Sequence, residues 1–341
     1  MGPQNAIDRI AVIGAGSWGT IAAALVAGGK DTILWARRPD LAAAIASTGR
    51  NPDYLPDLAL PDRLNATSDL ASAVPGADLV VMAVPSHGFR DVFSSLAPHL
   101  DADAVVLSLT KGIEQGTLAT MTRIVAEVAS GLSASRIGVL TGPNLAGEIA
   151  AGQPTAAVVA FDDTDTAQSI QEVFMSPTFR VYTNRDVMGC ELGGALKNVM
   201  AIAAGMSDGL GFGDNTRAAL ITRALAELTR LGVVLGGRPE TFAGLAGMGD
   251  LIATCCSTKS RNHRVGVALA QGRSLQEVVG EMRMVAEGVK TTRSVLDLAE
   301  RHGVEMPIAA HVGRVLYEGM HPKDAVLSLM TREARAEGER R

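Results

Sequence analysis

Ile10-Ala11-Val12-Ile13 runs directly into Gly14-Ala15-Gly16-Ser17-Trp18-Gly19 and then into the helix-compatible stretch Thr20 to Ala27. Strand, glycine turn and helix in immediate succession form the opening unit of a βαβ fold, in which a pyrophosphate meets the free N–H groups and positive dipole end of the helix. The glycines divide the work: Gly14 permits the tight turn, Gly16 lets the pyrophosphate approach the backbone, and Gly19 lets the helix pack closely on the strand. The expected dinucleotide site therefore starts with Gly14, Gly16, Ser17, Trp18 and Gly19. A purely structural glycine turn is the alternative, and the strand before it and helix after it argue against that.

The same alternation continues through the first half of the chain. Thr32 to Trp35, Leu79 to Val84, Ala104 to Leu109 and Ile137 to Leu140 are apolar enough for buried parallel strands, and each precedes a helix-compatible segment. This pattern predicts a doubly wound sheet whose ligand crevice lies outside the carboxyl ends of its strands. Ser17-Trp18-Gly19, Pro85-Ser86-His87, Thr110-Lys111-Gly112 and Thr141-Gly142-Pro143-Asn144 all follow such strands and converge on that edge. Ala156 to Phe161 and Phe179 to Tyr182 extend the sheet, with a helix over about Thr164 to Met175 between them. From about Val187 the periodicity turns helical, in Val199 to Ala204, Ala218 to Leu228, Val265 to Leu269, Thr292 to Leu298 and Val312 to Leu316. A chain of 341 residues has room for roughly two domains. We expect an α/β N-terminal doubly wound Rossmann-type domain over 1–188 and an all-α C-terminal domain over 189–341. An aromatic content of 4% agrees with close helix packing rather than an aromatic-rich sandwich.

The end of the second strand reads Trp35-Ala36-Arg37-Arg38, where an acidic residue would pair the ribose 2′-hydroxyl of NAD and an arginine would accommodate the 2′-phosphate of NADP. With no carboxylate between Leu34 and Pro39, Arg37 and Arg38 point to NADP(H), with NAD(H) also open. A solvated pair of arginines at a strand end fits the same letters. The net charge of −5 supplies no general field for nucleic acid, so an anion must be held by local groups. No nucleic-acid partner is expected, and no apolar run of about 18 residues calls for membrane insertion. Met1 to Arg9 lacks the form of a secretory signal, and Cys190, Cys255 and Cys256 suit no disulfide framework, so a cytoplasmic location is expected. His87, His99, His263, His302, His311 and His321 are scattered, and no metal site is expected.

In the second half, Lys197 lies in the helix-compatible stretch Gly193-Gly194-Ala195-Leu196-Lys197-Asn198, with two glycines on its own face that are expected to leave room for a substrate. Burial or a second cation would lower the pKa of such a lysine towards the working range of an acid–base group; the alternative is a lysine reaching solvent from a half-buried helix. Asp250, in Gly249-Asp250-Leu251, is costly to bury alone and should pair with Lys197 or with substrate hydroxyls, unless it is a helix cap. Ser260-Arg261-Asn262 precedes the helical run Val265 to Ala270 and suits a phosphate, through Arg261 and the helix N-terminus. A solvated basic loop is its plainer reading.

Gly14-Ala15-Gly16-Ser17-Trp18-Gly19, Ala83-Val84-Pro85-Ser86, Thr110-Lys111-Gly112, Thr141-Gly142-Pro143-Asn144, Gly193-Gly194-Ala195-Leu196-Lys197-Asn198, Gly247-Met248-Gly249-Asp250 and Ser260-Arg261-Asn262 stand in this order. Together they cover nearly the whole chain, and in that order the sequence resembles the NAD(P)-dependent glycerol-3-phosphate dehydrogenases, in particular the bacterial soluble kind. The resemblance implies interconversion of dihydroxyacetone phosphate, a phosphorylated triose, and sn-glycerol 3-phosphate for glycerophospholipid synthesis. It assigns Lys197 as the proton donor in reduction, and gives Lys111 contacts to both cofactor and substrate. Gly142 and Asn144, read as opening a helix, would reach the substrate, although Asn144 also fits a simple cap; Ala146 would border the cofactor. By the same resemblance Asp250, Ser260, Arg261 and Asn262 serve the substrate, Arg261 touches the cofactor as well, and Val285 and Glu287 approach the dinucleotide. A homodimer is expected by analogy. Two other readings stay open at this point: a related reductase of another hydroxy acid or sugar acid, and a dinucleotide-binding redox sensor without turnover.

Overall fold

The computed structural model describes residues 7–282 and 286–333. Its strands are β1 (Arg9–Ile13), β2 (Asp31–Trp35), β3 (Leu64–Thr67), β4 (Leu79–Met82), β5 (Val105–Ser108), β6 (Ile137–Thr141), β7 (Thr155–Ala160) and β8 (Phe179–Asn184). They form one sheet in the order β3-β2-β1-β4-β5-β6-β7-β8. Every neighbouring pair up to β6 is parallel, which is the doubly wound order of a dinucleotide-binding sheet. β7 then pairs antiparallel with β6 and parallel with β8. The thirteen residues between β6 and β7, 142–154, return the chain so that β7 runs against β6. β3, Leu64-Asn65-Ala66-Thr67, is the strand that apolar patterning misses: it is short, half polar and at the sheet edge.

Packing divides the chain into two units, Met1–Thr110 with Met121–Val187, and Lys111–Thr120 with Met188–Arg341. A single cut after residue 188 does not anticipate the excursion of Lys111–Thr120. That segment goes with the helices because Ile113 and Leu118 are buried in the helical core, and the carbonyl of Ile113 accepts from Ser294 Oγ at 3.4 Å. Among the described residues, the sheet unit carries α1 (Ser17–Ala27), α2 (Pro39–Thr48), α3 (Leu70–Ala73), α4 (Phe89–Leu96), α5 (Met121–Val128), α6 (Ala146–Ala150) and α7 (Thr164–Phe174). The helical unit carries α8 (Val187–Gly209), α9 (Asp214–Val234), α10 (Pro239–Ala243), α11 (Asp250–Cys256), α12 (Arg261–Ala270), α13 (Leu275–Glu281), α14 (Glu287–Arg301), α15 (Pro307–Tyr317) and α16 (Pro322–Met330).

α8 is 23 residues long and, by length and hydropathy alone, apolar enough to cross a membrane, although 89% of its apolar window is buried inside the protein. It is the axis of the helical core: Leu196, Val199, Met200, Ala201 and Ile202 are fully buried, and Glu191, Lys197 and Asn198 are buried among them. A charged side chain in that position needs a partner, which locates the chemistry of this unit.

Candidate active site

In the sheet unit the glycine turn has the shape its spacing predicts. Gly14 adopts φ +122°, which side-chain-bearing residues rarely adopt, and a Cβ there would meet the carbonyl oxygen of Ala83 at 2.6 Å. A Cβ on Gly19 would lie 1.9 Å from the carbonyl oxygen of Gly14, so α1 packs on the turn only because that hydrogen is all Gly19 carries. At Gly16, by contrast, a Cβ would meet nothing within 4 Å. The space in front of Gly16 and the N-terminus of α1 thus admits a pyrophosphate. Trp18 packs against Phe179 with the rings tilted by 44° and their centroids 6.3 Å apart, and its Nε1 is buried with no acceptor among the described residues. Two further donors are poised in the same unit. Arg37 is exposed at the end of β2 with no hydrogen bond or ion pair among the described residues, and the Asn144 carboxamide is buried with both its polar atoms unbonded. These are the features a bound dinucleotide and a small polar substrate would satisfy.

Two expectations for this unit change. Gly142, at φ +123°, and Asn144 lie in the loop after β6 and do not open a helix: α6 starts at Ala146, and Leu145 is its cap. Asn144 therefore does not act as a cap, which explains its unbonded side chain. Arg38 is the N-cap of α2 and is ion-paired to Asp53 and, at 3.7 Å, to Asp40, so the two arginines are not equivalent.

In the helical unit, Lys197 projects from α8 to Asp250 at the first position of α11. Lys197 Nζ donates to Asp250 Oδ1 at 2.5 Å and to Thr254 Oγ1 at 2.6 Å, while Lys111 Nζ donates to Asp250 Oδ2 at 2.6 Å. One buried carboxylate thus joins two lysines. Gly193 makes this possible in an unexpected way: the room beside it is taken by protein, since a Cβ would sit 2.5 Å from the carbonyl oxygen of Ala246. That close approach presses α8 against the turn leading into α11 and brings Asp250 to Lys197, so Gly193 leaves no substrate space.

Burial is the main reason that Lys197 is pushed down from 10.5 to about 8; the Lys111 cation adds to the shift, and the Asp250 charge opposes it. Thr254, one helical turn beyond Asp250, donates its hydroxyl to the Asp250 carbonyl at 2.7 Å and so presents an oxygen lone pair to Lys197. Patterning overlooked Thr254; its spacing of four residues from Asp250 on one helix was the available signal. Asn198 is the other missed residue. Its Nδ2 donates to the Lys111 carbonyl at 3.2 Å, its Oδ1 accepts from Asn262 Nδ2 at 2.9 Å, and Asn262 Oδ1 accepts from Gly288 N–H at 3.0 Å.

This chain of amides ties the Lys111 segment, α8, α12 and α14 together. It commits the Asn262 carboxamide, which keeps one N–H for a ligand. Ser260 caps α12 by accepting from His263 N–H at 3.3 Å. Arg261 is exposed at the first position of that helix, and with Arg264 and Arg273 it lines a cavity of about 620 Å³ that Lys197 and Asp250 do not line. Glu287 opens α14 beside Gly288, and Val285 lies outside the described residues. The structure therefore gathers Lys111, Lys197 and Asp250 into direct contact, joins Asn262 to them through Asn198, and leaves Ser260, Arg261 and Glu287 at helix starts of the same unit.

Comparison with known proteins gives a single answer over both units. Residues 9–167 match the family profile for the NAD-dependent glycerol-3-phosphate dehydrogenase N-terminus, and residues 186–327 match that for the C-terminus. The chain is 52% identical to glycerol-3-phosphate dehydrogenase [NAD(P)+] of Streptomyces griseus, over 96% of this chain and 98% of that relative. It is 51% identical to the enzyme of the same description from Citrifermentans bemidjiense, over 97% of this chain and 99% of that one. Among solved structures, glycerol-3-phosphate dehydrogenase of Coxiella burnetii is similar with a TM-score of 0.91 at 39% identity, covering 95% of this chain and 99% of that chain. A ketopantoate reductase of Ralstonia eutropha shares the fold alone, with a TM-score of 0.56 at 18% identity.

Proposed function

Because the chain belongs to the NAD-dependent glycerol-3-phosphate dehydrogenase family, we propose that its chemistry is centred on Lys197, with Asp250, Lys111 and Thr254 holding and tuning it. The activity is the reversible reduction of dihydroxyacetone phosphate to sn-glycerol 3-phosphate with NAD(P)H, an oxidoreductase step that feeds glycerophospholipid synthesis. The bound nicotinamide supplies the hydride. What remains for the protein is to hold both ligands, stabilise the negative charge that develops on the carbonyl oxygen, and deliver a proton to it.

The observation that carries the assignment is a lysine buried in an apolar helix and lowered to about 8 while hydrogen-bonded to one carboxylate. At that value it is mostly protonated at neutral pH, yet gives up its proton far more readily than an exposed lysine. When the ketone oxygen gains charge, the Lys197 ammonium donates to it. The neutral amine is then still held by Asp250 and Thr254, and in glycerol 3-phosphate oxidation it takes the hydroxyl proton back. Lys111 stays bound to Asp250, so a cation remains near the carboxylate throughout and the substrate oxygen has a second donor. Arg261 and the first-turn N–H groups of α12 are the proposed phosphate holders, with Ser260, Asn262, Gly142 and Asn144 as polar contacts for the rest of the substrate. The proposed dinucleotide holders are Gly14, Gly16, Ser17, Trp18, Gly19, Arg37 and Ala146, with Lys111, Arg261, Val285 and Glu287, while Arg38, expected beside Arg37, is engaged by Asp53 and Asp40. Division of labour between an N-terminal cofactor domain and a C-terminal substrate domain is part of the same proposal.

We also propose a cytoplasmic homodimer without membrane insertion or nucleic-acid binding. Three free cysteines suit a reducing compartment, and the exposed apolar side chains of Met248, Ile252, Val233 and Val234 suit a subunit contact. Light scattering on a sizing column reads the mass directly. The activity itself is tested by oxidation of NADPH and NADH with dihydroxyacetone phosphate, against unphosphorylated dihydroxyacetone. Turnover only with the phosphate ester is expected, and equal rates with both ketones would overturn the phosphate site.

A further inference from the structure

At the end of β2 two adjacent arginines are in different states. Arg37 is exposed and makes no side-chain hydrogen bond or ion pair among the described residues, whereas Arg38 Nη2 is bonded to Asp53 Oδ2 and Arg38 Nε faces Asp40 at 3.7 Å. Asp53 comes from the loop after α2, and a buried residue fixes that loop. Asn51 is fully buried, and its Nδ2 donates to the carbonyl oxygen of Ala15 at 2.9 Å and to Thr20 Oγ1 at 2.8 Å. Ala15 belongs to the glycine turn and Thr20 to α1, so the loop is tied to the phosphate-binding turn itself. Leu55 N–H then closes the loop on the Asn51 carbonyl at 3.0 Å, and Asp53 within it meets Arg38. A carboxylate 15 residues from Arg38 in sequence thereby reaches the strand end where this fold reads the ribose 2′ position.

We propose that Asp53 sets the cofactor choice: by occupying Arg38 it leaves the 2′-phosphate of NADP(H) to Arg37 alone, and so brings the affinities for NADP(H) and NAD(H) close together. This rests on the reading of the glycine turn and Arg37 as the dinucleotide site. The four charges at the strand end, Arg37, Arg38, Asp40 and Asp53, sum to zero, so a dianionic 2′-phosphate gains little there from net charge, and a 2′-hydroxyl loses nothing. Neutralising Asp53 frees the Arg38 guanidinium fork and leaves one positive charge in excess. The pair is half exposed, with side chains 53% and 42% accessible, so the fold does not depend on it and the variant keeps its shape.

The test is fluorescence titration of the full-length enzyme with NADPH and NADH, together with competition by 2′,5′-ADP and 5′-AMP, which reads binding without turnover. Asp53→Asn is expected to tighten NADPH and 2′,5′-ADP by about five- to tenfold and to leave NADH and 5′-AMP within about twofold. Asp53→Glu, which keeps the charge, should behave as the parent, and adding Arg38→Ala to Asp53→Asn should cancel the gain. An unchanged NADPH to NADH ratio in Asp53→Asn, or equal tightening of both cofactors, overturns the proposal. Arg37→Ala separates this from the reading beneath it. If it weakens 2′,5′-ADP while Asp53→Asn is silent, the site stands and Asp53 has no part in the choice; if it leaves 2′,5′-ADP unchanged, the placement of the dinucleotide is itself wrong.

Discussion

Replacing Asp250 by asparagine keeps the shape of the side chain between the two lysines and removes its charge. Lys197 stands at about 8 with that charge in contact, because burial pulls its pKa down and Asp250 pulls it back up. A contacting opposite charge shifts a pKa by roughly 1–3 units, so Lys197 in Asp250→Asn should fall to roughly 5–7. The donor form exists below the pKa and is lost as pH rises through it. Near neutral pH about nine-tenths of the parent lysine is protonated, and with a pKa near ~6 only about one-tenth would be, a loss of roughly tenfold in reduction from protonation alone. Loss of the charged contact that orients Nζ adds to this. The assay is log kcat/KM for dihydroxyacetone phosphate against pH, since that profile reports the free enzyme. For the parent the descending limb should start near 8; for Asp250→Asn it should start at least about one unit lower, and the rising limb of glycerol 3-phosphate oxidation should move in the same direction. A descending limb that stays near 8 would show that Asp250 does not set the Lys197 proton affinity, and one that moves upward would reverse the sign of the electrostatics.

Other substitutions separate chemistry, binding and folding. Lys197→Ala should abolish turnover while Kd values for NADPH and NADH change by less than about twofold; turnover within about tenfold of the parent would remove Lys197 from the proton-transfer step. Arg261→Ala should raise KM for dihydroxyacetone phosphate by about ten- to a hundredfold, and an unchanged KM would refute its phosphate role. Gly16→Ala and Gly19→Ala form a contrasting pair. The first meets no protein atom within 4 Å and should unfold with the parent Tm while dinucleotide affinity falls, whereas the second collides with Gly14 and should lower Tm by several degrees. Equal Tm values for the two would contradict the packing of α1 on the turn.

The sheet was legible because its central strands are buried on both faces and stand out as continuous apolar runs; β3 escaped because it is a four-residue edge strand that is half polar. The lysine and aspartate of the proposed catalytic cluster could be singled out as charges set in apolar helices. Thr254 and Asn198 stood out less, since they act through neutral hydrogen bonds, each accepting one and donating one, and carry no charge to betray burial. The start of α6 was misplaced because Gly142-Pro143-Asn144 carries turn-forming residues that fit either a helix start or a loop. The partnership of Arg38 with Asp53 was hidden for another reason: it depends on Asn51 anchoring a loop, a tertiary contact with no local pattern.

The bridge from Gly288 through Asn262 and Asn198 to the Lys111 carbonyl is built wholly from neutral amides. Such groups neither titrate nor attract counterions at any pH or ionic strength the enzyme meets. This amide bridge between the Lys111 segment and α8 is therefore blind to the proton that Lys197 would gain and lose in the proposed cycle. Protonation can change the charge of the centre while its architecture stays constant, and salt should alter how fast an anionic substrate arrives without altering where it is received.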